Sequence, residues 1–151
     1  MAKFLIGIDA GNTSSKAVVF DEGGKMVASS STKSSERMHL APRGRGFEEF
    51  DVDELWSMVS QCIKRAIGKD GVSAEDIAGV GVTSFGNGVV FLDESGWSIA
   101  PGCFSQDYRA NDIISLYQKE GTYDKINRMV HGTLFAGEPG PILRWYKEHE
   151  R

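Results

Sequence analysis

The feature that most constrains this chain is its opening. An apolar run, Phe4 to Ile8, ends at Asp9, and a turn of Gly11, Asn12 and three hydroxyl residues, Thr13, Ser14 and Ser15, follows. A second apolar stretch then leads to Asp21 and the turn residues Glu22-Gly23-Gly24. Short runs rich in Phe, Leu, Ile and Val between turn signals read as strands, and turns this short join antiparallel neighbours. The spacing predicts strands over 3–9, 15–21 and 25–31, an antiparallel meander. From Ser30 to Gly46 the sequence turns to Ser, Lys, Arg, Pro and Gly without a period, which predicts a solvated loop.

Asp51 opens the clearest helix. It is a capping residue, with Glu54 three positions on. Val52, Leu55, Trp56, Val59, Ile63, Ala66 and Ile67 recur at helical spacing until Gly68. Trp56 and, later, Trp145 read as core residues on helix stripes, and Trp97 as a surface residue. Ser73 signals the start of a very short helix. Ile77 to Ser84 is almost continuously apolar and reads as a buried central strand. Val89 to Asp93 is the next strand candidate, and helices are expected over 111–119, 123–129 and from Pro141 to about 150. Three meandering strands followed by helix, strand and helix describe a mixed α/β sheet rather than a parallel doubly wound one.

Bulk properties narrow the function. The 151 residues suffice for one domain with a real core, and 17 basic against 21 acidic residues do not suit a dedicated nucleic-acid binder. Asp9 stops the first apolar run far short of a membrane span. Cys62 and Cys103 have no metal-ligand spacing and read as reduced thiols of a cytoplasmic protein. His39, His131 and His149 form no triad or metal pattern.

The loop after Asp9 carries the chemistry. Gly11 permits a tight backbone, the hydroxyls and turn N–H groups can donate to phosphate oxygens, and Lys16 adds positive charge. Asp9 suits a hard cation such as magnesium, which takes one or two carboxylates alongside water and phosphate oxygens. The alternative is a hairpin whose polar residues only satisfy the turn. A Gly-rich loop of the strand-to-helix kind is excluded, because a strand follows.

Strand-loop-strand is the placement used by the actin, hexokinase and heat-shock chaperone superfamily. Residues 7–21 resemble the first phosphate motif of its FGGY carbohydrate kinase branch. The resemblance continues through Gly46-Phe47-Glu48-Glu49-Phe50-Asp51, the strand pair 77–84 and 89–93, and Gln106-Asp107-Tyr108-Arg109, which matches an aspartate-x-arginine signature. It ends on Leu143 to His149, after a Gly-containing loop near Gly137. Xylulose and L-xylulose kinases are the most similar branch.

That resemblance implies a ribonuclease H-like, actin-like ATPase fold: a mixed sheet with an opening three-strand antiparallel meander and flanking helices. It implies ATP-dependent phosphorylation of a sugar or polyol hydroxyl. Asp9 would position Mg2+, and Gly11, Asn12, Thr13, Ser14 and Lys16 would face the ATP phosphates. Asn87 stands where xylulose kinases often place a sugar-contacting histidine, the alternative being a plain turn, and Asp107 and Arg109 would reach the sugar, the alternative being a surface ion pair or a helix cap. The usual aromatic before the signature is replaced here by Ser105-Gln106. The catalytic base is expected beyond Arg151. Residues 1–151 would then be the N-terminal, sugar- and phosphate-binding domain, incomplete and inactive alone, with sugar, ATP and a missing C-terminal domain as partners. A homo-oligomer is left open, and neither nucleic acid nor membrane is expected. The alternatives are a non-catalytic sugar- or phosphate-binding module, or another actin-like ATPase such as an activator.

Overall fold

The computed structural model describes residues 3–34, 38–69 and 71–150. They form two compact units, one made of residues up to 38 with 52–85, the other of 39–51 with 86 onward.

The first unit is a four-stranded sheet carrying one long helix. Strands β1 (Phe4–Ala10), β2 (Ser14–Phe20) and β3 (Met26–Lys33) form the expected antiparallel meander. Strand β5 (Ile77–Ser84) lies parallel to β1, giving the order β3-β2-β1-β5. Helix α1 (Val52–Ile67) covers one sheet face. Alternation along the strands decides which side chains it meets. Ile6, Ile8, Ala17, Val19 and Ala28 pack with its Val59, Cys62 and Ala66. Asp53 and Glu54 in its first turn and Lys64 and Arg65 in its last complement the helix dipole. Ser73 caps a 3₁₀ turn, Ala74–Asp76, its hydroxyl accepting from the Glu75 N–H.

Two expectations change here. Strand β5 has its predicted bounds but is not a buried central strand: among the described residues β1 alone pairs with it, and Val80 and Val82 are exposed. Trp56 is 66% exposed rather than core, and with Leu55, Val80 and Val82 it lines an apolar groove of about 480 Å³.

The second unit combines short β ladders with three helices. Strand β4 (Glu49–Phe50) pairs antiparallel with β6 (Gly102–Cys103). The segment expected as a strand over 89–93 makes only the isolated bridges Val89↔Cys103 and Leu92↔Ser98, because Asp93 turns the chain. Its carboxylate accepts from the Ser95 and Trp97 N–H groups. Helices α2 (Asn111–Lys119), α3 (Thr122–Val130) and α4 (Pro139–His149) follow the predicted order. Prolines in the first turn of α4 suit positions whose N–H groups have no helical partner. Cys103, Ala110, Ile113, Ala136 and Ile142 form the core, and Trp145 and Tyr146 pack against it. No helix among the described residues is long and apolar enough to cross a membrane.

Candidate functional site

The acid at the end of β1 and the hydroxyl loop are brought together as the sequence suggests. Asp9 and Lys16 are register partners on neighbouring strands, and Asp9 also pairs with Thr83 on β5. Directly paired residues share a sheet face. Asp9, Lys16 and Thr83 therefore line one side of the sheet, the side away from α1. They border a groove of about 440 Å³ floored by Gly7 and Gly81, which are themselves paired.

The loop is tightly made. The Gly11 N–H donates to the Ser14 carbonyl at 3.1 Å. A Cβ on Gly11 would lie 2.6 Å from that oxygen, so no other residue fits there without moving backbone. Ser34 ties the far side, its N–H donating to the Thr13 carbonyl and its hydroxyl to that of Asn12. Asp9, Thr13, Ser14 and Lys16 remain exposed. Ser15 does not join them: it is buried on the α1 face, and its hydroxyl has no partner among the described residues.

One carboxylate, two exposed hydroxyls and an ammonium around a glycine-pinched turn fit a phosphate group and its cation. No cluster of three or more His, Cys, Asp or Glu among the described residues could cage a metal. Asp9 could offer magnesium one carboxylate, the ion keeping water and phosphate oxygens as its other ligands.

In the second unit Asn87 and Gly88 are consecutive left-handed residues, with φ of 60° and 84°. Asn and Gly tolerate that geometry, which accounts for both residue types at the turn. The Asn87 side chain is exposed.

Asp107 and Arg109 are brought together but face each other, their side chains 0% and 1% exposed. Asp107 accepts from the Arg109 N–H at 3.0 Å, from its Nε at 3.0 Å and Nη2 at 2.7 Å, and from the Glu48 N–H at 2.8 Å. Arg109 also donates Nη2 to Glu49 and Nη1 to the Tyr146 hydroxyl. Glu49, 3% exposed, holds Arg43 as well, through Nε at 3.0 Å and Nη2 at 2.8 Å. Every charge in this cluster has an opposite partner, as burial requires.

Burial pushes the Glu49 carboxyl up, but the hydrogen bonds from Arg43 and Arg109 outweigh it and hold it below its ordinary value. Burial likewise works against the Arg109 charge, and its bonds to Asp107 and Glu49 outweigh that, raising its pKa. Desolvation raises the Cys103 thiol and pushes Tyr146 up to about 12. Neither serves as a base near neutral pH.

Sequence reasoning assigned no role to Glu49, Arg43 or Tyr146. Glu49 and Phe50 are buried in succession after the exposed Glu48, so no alternation marked Glu49, and Arg43 meets it from a half-exposed position.

The chain matches the FGGY family of carbohydrate kinases, N-terminal domain, over residues 4–151. It is 34% identical over 147 residues to a Pasteurella multocida protein named Probable L-xylulose kinase, covering 97% of this chain and 30% of that one. It is 31% identical over 150 residues to the Escherichia coli L-xylulose/3-keto-L-gulonate kinase, covering 99% and 29%. Among solved structures it superposes on a gluconate kinase from Lactobacillus acidophilus with a TM-score of 0.85 and 25% identity, covering 99% of this chain and 29% of that one. The chain thus spans under a third of the length of each of these relatives.

Proposed function

Since this chain belongs to the FGGY family of carbohydrate kinases, we propose that it is the sugar- and phosphate-binding N-terminal part of an ATP-dependent kinase acting on a hydroxyl of a ketose-like sugar. The observation that carries this reading is the glycine-pinched loop beside Asp9. Thr13 and Ser14 donate to phosphate oxygens there, Lys16 contributes charge, and Gly11 and Asn12 shape the turn. Asp9 positions Mg2+, which when bound neutralises charge developing on the transferred phosphoryl group. The relatives named for L-xylulose and 3-keto-L-gulonate support a ketose-like sugar.

Asn87 stands exposed for direct contact with the sugar. Asp107 and Arg109 act on it from behind, by bracing the loop between them and Cys103. Phosphoryl transfer also needs a base and further charge stabilisation. The base is assigned beyond Arg151, so residues 1–151 bind without turning over.

Melting of the purified chain with L-xylulose, 3-keto-L-gulonate, glycerol and gluconate tests this, alongside ADP formation. A sugar-dependent rise in melting temperature without ADP formation is the expected result. Robust sugar-dependent ADP formation would overturn the assignment of the base. No response to any sugar would remove the sugar site from residues 1–151.

A further inference from the structure

The sequence holds a single Asn-Gly pair, Asn87-Gly88. An asparagine side chain reaches readily to the backbone that follows it. When the next residue has no Cβ, its nitrogen can approach the carboxamide carbon and close a five-membered ring. Folding suppresses that reaction where it fixes the groups that must meet.

Nothing fixes them here. Asn87 is exposed, and the turn it shares with Gly88 lies outside every helix and strand. Among the described residues neither the Asn87 carboxamide nor the Gly88 N–H has a hydrogen-bond partner. A Cβ added at the preceding Gly86 would meet nothing within 4 Å, so the turn has open space in which to rotate. The other three asparagines are placed differently. Asn127 lies within α3, and its Oδ1 accepts from the Leu134 N–H at 2.8 Å. Asn111 opens α2 with Asp112 after it. Asn12 is followed by Thr13, whose branched Cβ crowds the nitrogen that would have to attack.

We propose that Asn87 is a site of spontaneous deamidation, and that its conversion weakens sugar binding. The Gly88 nitrogen gives up its proton to solvent base and bonds to the Asn87 Cγ. The Cγ–Nδ2 bond breaks, and the nitrogen leaves as ammonia with a proton from water. Water then opens the succinimide ring. Opening at Cγ gives aspartate, and opening at the main-chain carbonyl gives isoaspartate, with the chain running on through the side chain. No group is oxidised or reduced. The carboxamide both donates and accepts hydrogen bonds, whereas the carboxylate that replaces it only accepts. The effect on binding rests on the reading above that Asn87 meets the sugar; the deamidation itself does not.

The test holds the purified chain at mildly alkaline pH, folded and in guanidinium, and maps its peptides by mass spectrometry. In the folded chain Asn87 should convert within about threefold of its rate in the unfolded chain, because an exposed turn opens at almost no cost. Both aspartate and isoaspartate should form there, while Asn12, Asn111 and Asn127 stay intact over the same period. A folded chain whose Asn87 stays intact while the unfolded chain converts overturns the site. Asn87→Asp then reads the consequence. It should melt as wild type does, since Asp also tolerates left-handed geometry. It should bind L-xylulose about tenfold more weakly, the loss of roughly one good hydrogen bond. Affinity equal to wild type overturns the effect on binding while the kinase reading stands. An absence of sugar binding in wild type removes that reading and the binding effect together, and the mass measurement still decides the modification.

Discussion

The guanidinium carbon of Arg109 lies 4.0 Å from the centroid of the Phe47 ring, while the same group is hydrogen-bonded to Asp107 and Glu49. One side chain therefore joins an aromatic face, two carboxylates and the Tyr146 hydroxyl. A planar fork with several fixed donors can do this, and an ammonium cannot.

Arg109→Lys should accordingly behave as a loss of function in folding terms, not as a conservative change. Arg109→Ala leaves two buried carboxylates short of a partner and should cost about 3–5 kcal/mol. Urea unfolding of the variants beside wild type measures this. A loss under 1 kcal/mol would mean the cluster relaxes into solvent.

Acid should weaken the second unit through Glu49. Its folded pKa lies below the ordinary value of about 4.3, so the unfolded chain takes up the proton first as pH falls. The stabilisation is complete above that ordinary value and disappears as pH drops through the folded one. Unfolding free energies measured from pH 7 downward should fall in that acid window, and Glu49→Gln should flatten the fall. An equally steep profile in the variant would assign the acid sensitivity to other carboxylates.

Gly11→Ala should damage the phosphate loop selectively. The added methyl would stand 2.6 Å from the Ser14 carbonyl, so the turn must open. ATP-dependent stabilisation should disappear while circular dichroism of the chain is retained. Unchanged nucleotide binding would show that the turn's shape does not matter to it.

Gly102→Ala addresses packing. A Cβ there would come 2.3 Å from the Phe50 ring, which is itself fully buried. Overpacking of this kind costs about 1–3 kcal/mol. Thermal melting checks it, and a double change with Phe50→Leu should recover part of the loss.

Local signals carried much of the fold. The meander, the α1 stripe from Val52 to Ile67 and the order of the last three helices follow from turn residues and periodicity within single segments. Burial of β5 did not follow, because Val80 and Val82 report what a strand can pack against, and α1 leaves both exposed. Trp56 failed for the same reason. At the site, the Asp9 loop was legible because its residues are sequence neighbours. Asp107 and Arg109 were legible only as a motif, which assigned them to the sugar and not to each other. Glu49 meets Arg109 across 60 residues, and no spacing rule announces a contact of that range.

The most direct measurement on the central claim is an NMR titration of the chain with ATP and Mg2+, in wild type and in Asp9→Asn. The account predicts saturable shifts clustered on Gly11, Asn12, Thr13, Ser14 and Lys16, whose Mg2+ dependence is lost in the variant. Shifts that cluster elsewhere, or the absence of saturable binding, would contradict the phosphate-loop assignment on which the kinase reading rests.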